Sequence, residues 1–86
     1  MRRAAMRGTV KLLNRDDGIV GIETEHGEYT VLGLLEDYEI AEGDVISGPL
    51  EALDQQLMNN ETRQLQMNVY VEDCELQYED AKVKVG

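Results

Sequence analysis

The chain has no phenylalanine and no tryptophan, and only one proline, one cysteine and one histidine in 86 residues. Without those rings the core must be built from valine, isoleucine, leucine and methionine, with tyrosine at its edge. The lone Cys74 excludes an internal disulfide and fits a reducing compartment. No apolar run approaches the roughly 18 residues of a membrane span. Arg2-Arg3 has no apolar stretch behind it and does not read as a signal peptide. These absences lead to the expectation of a soluble, cytoplasmic protein. The length suits one small domain, for which a closed barrel is a compact solution.

Chemistry-bearing patterns are also missing. The chain has no phosphate-cradling glycine loop, no Cys/His metal spacing and no nucleophile elbow. His26 falls in a hairpin turn. Cys74 is flanked by Asp73 and Glu75, which raise a thiol pKa and disfavour the reactive thiolate. Asp16, Asp17 and Asp73 lack calcium-loop spacing. Asn60-Glu61-Thr62 matches a glycosylation acceptor, a match without meaning in a chain that is not secreted. The expectation is a non-enzyme with no cofactor and no bound metal.

What the chain has in abundance is acid, and it is unevenly placed. The net charge is -10. The first fifteen residues hold Arg2, Arg3, Arg7, Lys11 and Arg15 and no acid, whereas residues 16–80 hold all 18 acids and Arg63 as their only cation. A field this negative repels nucleic-acid phosphate. The basic arm, residues 1–5, is expected to be a disordered, solvated terminus.

Strand signals recur along the chain. Met6–Asn14 alternates loosely and ends in the turn Arg15-Asp16-Asp17-Gly18. Gly18–Thr24 is a second strand, in which Gly21 suggests a bend or a close backbone approach. Glu25-His26-Gly27 is a tight turn, and Glu28–Leu32 returns. Residues 33–40 read as a short helical turn or irregular crossover. Val45–Leu53 reads as a fourth strand that Pro49 bends or ends, and the polar residues 54–63 read as a long connection. Gln64–Glu72 is a fifth strand, with Leu65, Met67, Val69 and Val71 on one face and Gln66, Asn68 and Tyr70 on the other. Residues 73–86 form a C-terminal extension, in which alternating Ala81–Val85 fits an extra strand or a tail.

Residues Gly8 to Leu32 read G-T-V-K-L-L-N-R-D-D-G-I-V-G-I-E-T-E-H-G-E-Y-T-V-L. This stretch resembles the bacterial cold-shock domain, G-x-V-K-W-F-N-x-x-K-G-F-G-F-I followed by a hairpin and D-V-F-V-H-F. The shared positions are Gly8, Val10, Lys11, Asn14, Gly18, Ile22, Gly27 and Val31, and Ala41–Val45 echoes the family's E-G-x-x-V. The resemblance implies an all-β fold, a five-stranded Greek-key OB-fold barrel over residues 6–72. It also implies where single strands would bind, on rings of strands one to three that stack bases at ~1–3 kcal/mol each. The matching positions are Leu12, Leu13, Ile19, Gly21, Thr30, Leu32 and Gly33, and none is aromatic. Asp17 stands where the family has lysine. Losing three stacked bases costs on the order of 3–9 kcal/mol, enough to turn a micromolar binder into no measurable one.

Two functional expectations follow. In the first, the chain is a non-enzymatic cold-shock-like interaction module. Leu12, Leu13, Ile19 and Leu32 then form an aliphatic face that meets a protein partner, a second copy or the C-terminal extension, unless one or two of them turn into the core. In the second, the chain is a weak single-stranded RNA- or DNA-binding protein. Lys11 and Arg15 would hold phosphates, Asn14 a base edge, and an outward Tyr29 would stack, although a buried edge tyrosine is the plainer reading of Tyr29.

Overall fold

The structure, a computed structural model, describes residues 6–86. The basic arm expected at residues 1–5 lies outside the described residues. Six strands and one helix follow in order: β1 (Met6–Asn14), β2 (Ile19–Thr24), β3 (Tyr29–Leu34), β4 (Val45–Gly48), β5 (Asp54–Asn60), β6 (Leu65–Leu76) and α1 (Tyr78–Val85). Neighbouring strands are antiparallel and close into a barrel of order β1-β2-β3-β6-β5-β4. The fold is the expected all-β, OB-like barrel, with one strand more than the sequence suggested.

The added strand is β5, in the segment read as a polar connection. Its outward positions are polar except for the exposed Leu57, and of its inward positions Met58 and Asn60 are the ones fully buried. A strand with one buried apolar side chain carries almost no alternation signal. β4 is correspondingly short and stops at Gly48, immediately before Pro49, which can donate no ladder hydrogen bond.

The barrel interior is aliphatic. Val10, Val20, Ile22, Leu32, Ile46, Met58, Met67 and Val69 are wholly buried there, and Leu50 closes one end. Thr30 also points inward, where its hydroxyl donates to the Leu50 carbonyl at 2.7 Å. Asp44 is buried where β4 begins. Its Oδ2 accepts from Ala41 N, Asn60 Nδ2 and Arg63 Nε at 3.1, 2.9 and 2.7 Å, tying the start of β4 to the β5–β6 turn. Asn60 is wholly buried, so the glycosylation match is sterically closed.

The C-terminal extension is neither an extra strand nor a tail. Residues up to Leu76 lengthen β6, and α1 follows. Ala81 and Val85, one helical turn apart, are buried, whereas Val83 between them is 81% exposed. Glu79 and Asp80 in the first turn and Lys82 and Lys84 in the last complement the helix dipole. Gly86, at φ 96°, donates its N–H to the Lys82 carbonyl and ends the helix.

Candidate interaction surfaces

The four leucine and isoleucine side chains expected on one face divide between two. Leu13 pairs with Val20 and Val20 with Leu32, and this row points into the barrel. Leu12 pairs with Gly21 and Gly21 with Val31, and that row points outward. Successive residues of a strand face opposite sides, so Leu12 and Leu13 cannot share a surface. A bulge at Lys11, between Val10 and Leu12, sets this phase: Val10 points inward, yet Leu12, two residues on, points out.

The outward row is covered. α1 lies across β1–β3, and Ala81 and Val85 form a second small core with Tyr29 and Val31. Leu12, Ile19 and Leu76 pack against its margin. Gly21 is the point of closest approach. A Cβ there would lie 3.0 Å from Leu12 Cβ and 3.2 Å from Val85 Cγ2, so the glycine is the seat of the helix. The expected aliphatic contact face of Leu12, Leu13, Ile19 and Leu32 is therefore not a free surface. Two of its members line the barrel and two lie against the C-terminal helix.

The same helix takes up half of the residues expected to hold a single strand. Tyr29 is buried beneath α1, its ring edge-on to Tyr78 at 5.5 Å, and burial raises its pKa with help from Glu23 and Tyr78. Asn14 donates from Nδ2 to the Val85 carbonyl at 2.9 Å, and its Oδ1 accepts from Asp17 N at 3.1 Å. Lys11 is exposed and lies 3.8 Å from the Glu23 carboxylate. Arg15 is exposed in the β1–β2 turn, beside Asp16 and Asp17. The structure thus disperses Lys11, Asn14, Arg15 and Tyr29 rather than gathering them. Tyr29 is the buried edge tyrosine of the plainer reading and not the stacking residue of the alternative: it lies on the outer side of the sheet, where the helix occupies the space a base would need.

The nucleophile candidates are quiet. Cys74 is half-buried. Burial pushes its thiol pKa up first, and Glu75, Asp73, Glu51 and Glu28 add to the rise. A protonated, desolvated thiol is a poor nucleophile. His26 Nδ1 lies 3.8 Å from Glu51 at the exposed rim of the same end of the barrel. Glu28, Glu51 and Glu75 gather there, with carboxylate oxygens within 4.8 Å of one another.

One exposed stretch of sheet is made of amide and apolar side chains, with acids, Asp54 and Glu72, only at its Tyr70 end. On the outer side of β5 and β6, Gln55 pairs with Tyr70, Leu57 with Asn68, and Asn59 with Gln66. Leu57 and Tyr70 are diagonal neighbours there and remain 52% and 44% exposed. The Tyr70 hydroxyl donates to Asp54 at the rim, at 3.1 Å, and this bond raises its pKa. Sequence reading placed Tyr70 correctly on the outer face of its strand. It missed Leu57 as a partner because β5 itself was not legible.

No family model, curated protein or solved structure matches this chain.

Proposed function

We propose that the chain is a non-enzymatic, cold-shock-like OB module of the cytoplasm that works by surface contact. In this reading α1 has replaced the single-stranded ligand on the outer face of β1–β3. The contact surface is the amide-rich outer face of β5 and β6, whose acids, Asp54 and Glu72, lie only at its Tyr70 end, and its partner is a second copy of the chain. The observation that carries the reading is an exposed Leu57–Tyr70 pair framed by Gln55, Asn59, Gln66 and Asn68, in a chain of net charge -10.

Two copies with this charge repel one another wherever acids meet. The stretch from Gln55 to Asn59 and Gln66 to Asn68, where acids are fewest, is where they can approach, and its amide side chains can exchange hydrogen bonds across a two-fold axis. Leu57 and Tyr70 supply the apolar anchor, and tyrosine is among the residues that dominate such contacts. A stable interface buries about 800 Å² per partner. The outer face of two strands is smaller than that, so the dimer is transient. The lone thiol supports a reducing compartment. The raised thiol pKa and the dispersal of Lys11, Asn14, Arg15 and Tyr29 support neither catalysis nor strand binding.

Sedimentation equilibrium tests the reading. Dimer is expected at high protein concentration, more of it as salt screens the repulsion between copies. Leu57→Glu, on an already exposed position, is expected to leave monomer at every salt. A wild-type chain that stays monomeric up to ~1 mM would overturn the self-association, given the weak affinities expected of small interfaces.

A further inference from the structure

We infer a second binding site, at the mouth of the barrel beneath the β1–β2 turn, that takes a basic peptide segment carrying apolar side chains. The turn and the crossover after β3 enclose a cleft of ≈ 350 Å³ there. That size is at the lower end of ligand-binding clefts. Its floor is apolar: Leu13, Leu34, Tyr38 and Ile40 line it, and all four belong to or pack against the barrel core. Leu35, 49% exposed, stands at its rim. The floor is also firmly held, since the Tyr38 hydroxyl accepts from Asn68 N at 2.9 Å and Leu35 N donates to the Asn68 carbonyl at 3.1 Å.

Charge selects the occupant. Asp16 and Asp17 from the turn and Glu36 and Asp37 from the crossover line the opening, against the single cation Arg15. Arg15 and Asp16 also border the neighbouring groove that runs to Glu42. An apolar floor with a mainly anionic rim complements a segment in which Arg or Lys alternates with Leu or Val. The apolar side chains would enter the cleft while the cationic heads reach the rim and leave their stems over Leu35. An anionic ligand such as a phosphate would meet four carboxylates, so a nucleic acid does not fit.

The molecule supplies its own control. Glu28, Glu51 and Glu75 at the Tyr29 end of β3 form a second, tightly clustered acidic group away from this cleft. If charge alone attracted the peptide, that end would bind it at least as well.

The test is a titration of the isotope-labelled full chain with a short peptide alternating arginine and leucine, read by amide shifts. A peptide alternating arginine and serine is the comparison. Shifts centred on Leu13, Gly18, Leu35 and Tyr38 are expected, stronger with the leucine peptide. Leu35→Ser is expected to abolish the preference for leucine. Asp16→Asn with Asp37→Asn, both exposed, is expected to weaken binding about fivefold, as two rim charges would. Raised salt is expected to weaken it as well. Shifts that fall equally on Glu28, Glu51 and Glu75, equal binding of the serine peptide, or no shifts at all would each overturn the site.

Discussion

Asp44 shows how one side chain holds two parts of the barrel together. Burial alone would raise the pKa of its carboxyl. Hydrogen bonds from Asn60, Arg63 and the Ala41 backbone, together with the Arg63 charge, outweigh burial and hold it below the usual carboxylate range. A depressed folded pKa means that the unfolded chain takes up the proton first. The Asp44 contribution is therefore fully present above its unfolded pKa of about 3.9 and is lost as pH falls through the lower folded value. The urea midpoint is expected to fall below about pH 4, and Asp44→Asn is expected to shrink that fall. At neutral pH the same substitution should cost ~1–3 kcal/mol, the worth of hydrogen bonds to a charged group. An acid limb unchanged in Asp44→Asn would contradict this role. Gly21 gives a second residue-scale prediction. A methyl at 3.0 Å from Leu12 Cβ and 3.2 Å from Val85 Cγ2 must push the helix away. Gly21→Ala should cost ~1–3 kcal/mol, as overpacking does, and speed amide exchange in α1 more than in the barrel strands.

α1 is the element on which the reading of function turns. It is only 8 residues long, too short to be stable alone, so its packing on β1–β3 must hold it. Its small core of Tyr29, Val31, Ala81 and Val85 is separate from the barrel interior. Removing residues 77–86 is expected to leave the strand pattern intact while exposing Leu12, Ile19, Tyr29 and Val31. Dye binding to exposed apolar surface should rise, and the amide signals of Leu12 and Ile19 should move. A truncated chain with unchanged signals there would show that the helix is not the cover. The three strands of the first meander were legible because Gly18 and the Glu25-His26-Gly27 turn punctuate strongly β-prone segments. β5 was not, because Gln55, Leu57 and Asn59 face water and Asn60 is a buried polar group. Nor was α1, because the alternation of Ala81 to Val85 fits a strand, while Ala81 and Val85 also stand at helical spacing. The split of Leu12 from Leu13 followed from strand pleating alone. Its phase rests on the bulge at Lys11, which no local residue pattern announces.

Across the whole molecule, charge sorts the surfaces by what can approach them. The two ends of the barrel are acidic, the β1–β3 face is closed by α1, and the outer face of β5 and β6 carries acids only at its Tyr70 end. Self-association at the β5–β6 face should strengthen with salt, and attraction of a basic segment to the cleft should weaken with it, so the two contacts carry opposite signatures. A pyrimidine-rich single strand is expected to cause no clustered amide shifts at Lys11, Asn14 and Arg15, even at low salt, where phosphate contacts are strongest. Clustered shifts at those residues would restore a strand-binding reading. The central claim, that copies of this chain meet through β5 and β6, is tested most directly by following amide shifts of labelled protein over a dilution series at high salt. The account predicts concentration-dependent shifts at Gln55, Leu57, Asn59, Asn68 and Tyr70, absent in Leu57→Glu. Shifts at Leu12, Ile19 and Gly21 instead, or spectra that do not change with concentration, would contradict it.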